Sequence, residues 1–361
     1  MTDAPDPRQP LLAGQPPTGT VTIYPLVGIP EVVSGDHLGS LIRSALVEAG
    51  LTLRDGDVLA VSSKIISKAQ DLRGPLEDRE TLVRQQSRRV VAERRTAHGT
   101  TRIVEALAGP VMAGAGIDAS NTGDRDGVLL LPTDPDLAAR QLYAELLTAH
   151  APHPLPRLGI VVTDTAGRPW RDGQTDFALG ACSVQVLDDL RGGVDADGRA
   201  LTVTARAVAD EIAAAADLVK GKSGGVPVAL VRGLAVGTVS DPGAAGARSL
   251  VRTGPGDWFA QGGAEAVRAA LGVPPGSPAA EEVGIASVLP EEAADRMARA
   301  VRLALHGEGA AVVDVDQHSG TTTLVVRAPD PFVAGRVCAR LAVALAGERL
   351  EGVAVARSTD S

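Results

Sequence analysis

The sequence predicts a mixed α/β (α+β) chain of two domains, and three observations carry that expectation. Apolar runs of strand length, Val58-Leu59-Ala60-Val61 and Leu158-Gly159-Ile160-Val161-Val162, alternate with stretches of helical spacing at 136–150 and 207–218. Strands and helices therefore interleave along the chain instead of falling into separate blocks. A Pro/Gly-rich break at 272–278 sets off a shorter segment, and a length of 361 residues favours two domains over one. The expected boundaries are a disordered tail at 1–20, a main domain at 21–272 and a small domain at 279–361.

In order, residues 21–26 read as a first strand and 27–31 as a turn. Asp36 is placed to cap a helix from Leu38 to about Ala49. Arg54-Asp55-Gly56-Asp57 is a turn before the buried strand at 58–63, which ends in hydroxyls and is followed by Lys64 and Lys68. Residues 77–95 are polar and basic and read as an exposed helix. Residues 128–132 and 158–162 read as strands with the 136–150 helix between them, which places Asp164 and Thr165 at the carboxyl end of the second. An Ala-rich helix at 207–218 and a strand at 226–234 complete the main domain. Beyond the break the pattern is α-β-β-α-β: helix 291–306, strands 310–315 and 321–326, helix 331–346 and strand 351–357.

The bulk numbers exclude several functions. Aromatic residues are 2% of the chain, so the core must be built from Ala, Val and Leu. A formal net charge of −9 argues against a general nucleic-acid or anionic-membrane surface, although a local basic patch can still bind phosphate. Two cysteines, Cys182 and Cys338, have no metal or redox spacing, and the simple reading is a reducing cytoplasm. No apolar run reaches membrane-spanning length, and the first residues lack the basic and apolar regions of a signal peptide.

Two acidic segments carry most of the chemistry. Gly116-Ile117-Asp118-Ala119-Ser120-Asn121 and Thr163-Asp164-Thr165 each set a carboxylate among hydroxyls and amides. Hard oxygen ligands at a strand end suit Mg²⁺ or Mn²⁺, with substrate phosphates completing the shell. Taken singly, each aspartate is better read as a turn or capping residue; taken with Asn121 and Thr165, the metal reading draws level. Ser63 and Lys68 read either as a hydroxyl and an ammonium reaching a nucleotide, or as a cap and a solvated lysine. Arg168 and Arg171 could bind an anionic substrate through paired hydrogen bonds, or pair with Asp172 or Asp176 at the surface. Gly221-Lys222-Ser223 looks like the end of a P-loop, but it follows a helix and precedes a strand, the reverse of the required order. It reads instead as a helix C-terminus capped by Gly221, whose lysines can still touch a phosphate in another geometry. Asp210 and Glu211 read as partners of Arg206 or Arg232, or as a solvated helix face. The six histidines show no ligand spacing, and His37 and His98 read as surface loop residues.

In family order, Leu26–Glu31, Ser63–Lys68, Gly116–Asn121, Thr163–Gly173, Val208–Ala214 and Val231-Arg232-Gly233 resemble the coenzyme F420-0 γ-glutamyl ligases, both the archaeal CofE type and the N-terminal half of the FbiB type. The resemblance implies a GTP-dependent ligase that joins L-glutamate to F420-0 and extends a γ-linked tail, in a homodimer. It implies nucleotide contacts from Ile29, Pro30, Glu31, Val32, Ser63, Lys68 and Asn121. It also implies one Mg²⁺ or Mn²⁺ at Asp118 and Asp164 and a second at Thr165, with K⁺ as a further cation. Catalysis would then fall to Asp118, Asp164 and Lys68, with Arg168 or Arg171 anchoring the acidic tail of F420-0. Two departures stand out. The Lys220–Gly225 loop lacks the acidic residue of archaeal relatives, and the segment after Pro278 is too short for the nitroreductase domain of FbiB-type proteins. Competing classes are a metal-dependent nucleotide or phosphate-ester hydrolase using the same aspartates and a binding module without catalysis.

Overall fold

The computed structural model describes residues 20–358, apart from 98, 124–125, 236, 255–256 and 319–320. Residues 1–19 of the expected 1–20 tail, and His98, lie outside the described residues. The chain divides into two compact units. One holds the chain up to Ser87 with Ala106–Arg252, and the other holds Arg88–Glu105 with everything from Thr253 onward.

The first unit is built on a five-stranded mixed sheet. Its order is Thr22–Pro25, Val228–Arg232, Val58–Ser62, Gly159–Arg168 and Arg171–Cys182. The two central strands, Val58–Ser62 and Gly159–Arg168, run parallel, while the other pairings are antiparallel. Their apolar residues are fully buried on both faces, as the continuous runs require. One face carries helix Val208–Lys220, whose Ala209, Ile212, Ala213 and Ala216 pack on Val58, Ala60, Val161 and Val231. Small side chains let this helix lie close, which is how a core with few aromatics is filled. Helix Pro135–His150 packs on strand Arg171–Cys182, and helix Leu38–Glu48 packs on that helix. Gly180 faces Pro135 so closely that a Cβ there would stand 2.3 Å from the Pro135 backbone.

Several local expectations change. Asp36 does not cap the first helix; its carboxylate accepts from the Val33 backbone N–H, closing the turn ahead of the helix, and His37 takes the N-cap position. The basic stretch at 77–95 is a short helix, Arg79–Gln85, followed by strand Ser87–Thr96. The period-2 signal was hidden because charged residues occupy its inner face. Glu93 and Arg102 are both buried and pair at 3.2 Å, and Arg102 also reaches Glu281 at 2.7 Å. The strand carrying Asp164 does not stop there but runs on to Arg168 and turns into Arg171–Cys182, with a register irregularity at Val162/Thr163.

The second unit contains the expected α-β-β-α-β order: helix Ala293–Leu305, strands Val312–His318 and Thr321–Arg327, helix Pro331–Gly347 and strand Val353–Arg357. Leu303, Leu324, Val326, Val337, Leu341 and Ala344 form its core, together with Leu271 and Val273. Buried Arg299 is clamped by Glu291 and Glu348.

Candidate active site

A cavity of about 510 Å³ opens in the first unit, where four segments meet. The Ile29–Val32 turn, the start of helix Ser63–Ala69, the Thr163–Thr165 stretch and the loop after Lys220 all contribute to its wall. Of the residues singled out from sequence, Ile29, Pro30, Glu31, Val32, Lys68, Asn121, Asp164 and Thr165 line it. Ser63 stands behind the wall, buried, with its hydroxyl donating to Asp164 Oδ1 at 3.2 Å. Lys68 is also buried, and its ammonium pairs with Glu31 at 2.5 Å. Neither is the cap or solvated lysine of the plainer reading.

Asp118 is not in the cavity wall, but Lys64, which is, grips it at 2.7 Å and also bonds Ser120 Oγ at 2.9 Å. Burial works against the Asp118 carboxylate, yet Lys64 and Ser120 outweigh it and hold its pKa below the usual value. Asn121 takes a left-handed conformation, φ 53°, which its short amide side chain tolerates, and its Nδ2 donates to the Lys222 carbonyl at 3.4 Å. Asp164 is in the opposite electrostatic state to Asp118. Burial pushes its pKa up to about 6, against the Thr165 N–H, Ser63 and Lys64, with Asp176 adding repulsion.

Four residues of the site were not found from sequence as site residues: Lys64, Asp176, Lys220 and Lys222. Asp176 faces Thr165 across the hairpin and is buried. Its carboxylate accepts from Thr163 Oγ1 at 2.9 Å, Thr165 Oγ1 at 2.7 Å and the Lys220 ammonium at 2.7 Å. Burial alone would raise its pKa, but Lys220 and the two hydroxyls hold it low. Lys220 is buried at the end of its helix, where Gly221, φ 58°, turns the chain out as expected of a C-cap. The following Lys222 is exposed and donates to Thr165 Oγ1 at 2.6 Å. The signal for Asp176 was its place opposite Thr165, which becomes visible only once the strand is known to continue.

Arg168 and Arg171 are not brought to this cavity. Both are exposed at the hairpin tip, where the Arg168 side chain donates to the Asp172 carbonyl and the Arg171 side chain has no hydrogen bond or ion pair among the described residues. Asp210 accepts from the Ala178 N–H and Glu211 pairs with Arg206, while Arg232 goes to Asp57.

Among the described residues, no three His, Cys, Asp or Glu side chains gather closely enough to hold a metal by themselves. A divalent ion here therefore needs oxygens from a substrate, the usual habit of Mg²⁺ with phosphates. The Asp118–Asp164 end fits such an ion better, because Lys64 pairs with Asp118 while Asp164 has no ion pair among the described residues, so one carboxylate charge is uncompensated. The Thr165 end does not fit one, since the hydroxyl already accepts from the Lys222 ammonium and the carboxylate beside it is neutralised by Lys220.

Comparison with known proteins adds a family. A family model described as F420-0:Gamma-glutamyl ligase matches residues 27–233. The chain is 37% identical to the coenzyme F420:L-glutamate ligase of Archaeoglobus fulgidus over 234 residues, which is 60% of this chain and 89% of the relative. It is 34% identical to the protein of that name from Halobacterium salinarum over 255 residues, 65% of this chain and 93% of the relative. The Natronomonas pharaonis protein of the same name is 37% identical over 229 residues, 57% of this chain and 83% of the relative.

Proposed function

The chain belongs to the F420-0:γ-glutamyl ligase family, and on that premise we propose that it uses GTP to join L-glutamate to coenzyme F420-0 and then extends a γ-linked glutamate tail. The observation that carries this reading is the cavity itself. It combines the Ile29–Val32 turn, Lys68 and Asn121 with Asp164, Thr165 and the ammonium of Lys222 in one wall. Acidic groups for a cation and basic groups for phosphate thus face the same space.

A carboxylate does not react with an amine in neutral water until its oxygen becomes a leaving group. In the proposed sequence a terminal carboxylate oxygen of F420-0 attacks the γ-phosphorus of GTP, and the bond to the β-phosphate oxygen breaks. GDP leaves and an acyl phosphate forms. The glutamate amine then attacks the acyl carbon, phosphate departs and the amine proton goes to solvent. Phosphoryl transfer depends on positioning and charge, so the reaction calls for no nucleophilic Cys, Ser or His. Lys68 and Lys222 offer ammonium groups to phosphate oxygens, and Ser63 holds Asp164 in place. A Mg²⁺ or Mn²⁺ ion bound by Asp164 and Asp118 would neutralise charge on the phosphoryl oxygens. The exposed guanidinium of Arg171 is free to meet the acidic tail of F420-0, and a homodimer would bring further surface to it. No helix among the described residues is long and apolar enough to cross a membrane.

Mass spectrometry of F420-0 incubated with the protein, GTP, Mn²⁺ and glutamate tests the proposal. The product should gain glutamyl units only when glutamate and GTP are both present. GDP release that ignores glutamate, with F420-0 unchanged, would favour a hydrolase and overturn it.

A further inference from the structure

The two ends of the cavity carry opposite charge. At one end Asp118 is paired with Lys64, and Asp164 is bonded to the Ser63 hydroxyl with no ion pair among the described residues, which leaves one net negative charge. At the other, Thr165 and Asp176 are bound to Lys220 and Lys222, leaving one net positive charge. We propose that this chain works with a single divalent ion, at Asp118 and Asp164, and that the Lys222 ammonium supplies at Thr165 the charge a second ion would bring. The inference rests on the ligase reading given above.

Three features support it. A hydroxyl has one proton and two lone pairs. The Thr165 proton goes to Asp176 Oδ1 and one lone pair is taken by Lys222 Nζ at 2.6 Å. A divalent ion on the remaining pair would sit against an ammonium bonded to the same oxygen, and like charges at such range repel strongly. At the other end Lys64 pairs, of the two carboxylates, with Asp118 alone, and Asp164 offers a carboxylate bonded to no ammonium among the described residues. Next, the one carboxylate bonded to Thr165 is already charge-paired with Lys220 and three of its four lone-pair sites are taken: Asp176 Oδ1 accepts from Thr165, and Oδ2 from Thr163 and Lys220. Last, Lys222 is held at its post, because it follows the left-handed Gly221 and its own carbonyl accepts from Asn121. An ammonium has three N–H donors, so two remain for an anionic oxygen of the nucleotide or of the acyl phosphate. Glu31 and Asp217 also line the cavity; Glu31 is paired with Lys68, so Asp217 is the acid there, among the described residues, without an ion pair that could compete for a cation.

The test is the number of Mn²⁺ ions bound per chain in the presence of a non-hydrolysable β,γ-imido GTP analogue, read by native mass spectrometry and by titration calorimetry. The expected count is one in the wild type and two in Lys222→Glu, because the new carboxylate removes the ammonium and adds a ligand. Lys222 is exposed, so the variant should fold, which its melting temperature checks. Lys222→Ala should lower kcat at least tenfold at saturating Mn²⁺. Two ions in the wild type would overturn the proposal, and a fall from two to one in Asp217→Asn would assign the second ion to Asp217. An unchanged kcat in Lys222→Ala would also overturn it. Glutamyl addition to F420-0 is measured separately, so failure of the ligase reading would appear there and not in the ion count.

Discussion

Replacing Asp164 by Asn should stabilise the protein while abolishing its activity. The Asp164 carboxyl moves from 3.8 to about 6 on folding, chiefly because burial disfavours the ion. Keeping it ionised in the folded chain then costs about 3 kcal/mol, at about 1.4 kcal/mol per pH unit. The folded midpoint lies above the unfolded one, so the folded state binds the extra proton and stability falls as pH rises between the two values. The cost is absent below pH 3.8 and complete above about pH 6. Asn keeps an oxygen for the Ser63 hydroxyl and carries no charge. Urea unfolding in EDTA at several pH values should therefore show Asp164→Asn more stable than wild type by about 2–3 kcal/mol at pH 7.5. The two curves should converge near pH 4. Adding Mn²⁺ with a GTP analogue should reverse the order, because only the wild type gains a ligand bound to its folded state. A variant equal to or weaker than wild type at pH 7.5 without metal, or a difference that ignores pH, would refute the reasoning.

Other perturbations separate the roles of neighbouring groups. Lys220→Met leaves Asp176 buried and unpaired and should cost about 3–5 kcal/mol by denaturation, part of which Asp176→Leu should restore in the double variant. Lys68→Ala removes one charge-assisted bond and should raise the KM for GTP about tenfold. Arg171→Ala should raise the KM for F420-0 several-fold without changing kcat, and an unchanged KM removes that anchor. A chain cut after residue 278 keeps Leu271 and Val273 but loses Leu303, Leu324 and Leu341 of the same core, and Arg102 loses Glu281. It should aggregate or bind a hydrophobic dye, and a soluble form melting as sharply as wild type would count against this.

The parts of the fold legible in the sequence were those whose burial is uniform. Val58–Val61 and Leu158–Val162 lie in the middle of a sheet covered on both faces, and unbroken apolar runs announce that. The same holds for the Ala-rich helix and the α-β-β-α-β unit. What escaped notice were strands with polar inner positions. In Ser87–Thr96 the buried Glu93 breaks the alternation, and in Arg171–Cys182 the buried Asp176 does the same. That second miss hid part of the site, because Asp176 and Lys220 meet only through the hairpin. Asp164 and Thr165 were readable because they follow a recognisable buried strand, whereas the Ile29–Val32 turn and the site role of Lys68 came from the family resemblance. Lys222 was in view as the end of a rejected P-loop, and nothing in the linear order could reveal that its ammonium reaches Thr165.

The alternation of one strand also limits how this pocket can change. Thr163 and Thr165 turn to Asp176 on one side, while Asp164 between them turns to Ser63 on the other. Extra residues at the tip between Arg168 and Arg171 would leave this phase untouched, so the hairpin's reach can vary freely. A single residue inserted between Val162 and Asp164 would invert it, swinging the Asp164 carboxylate toward Asp176 and setting two acids face to face. Length variation in descendants of this chain should therefore collect at the tip and avoid the strand beneath it.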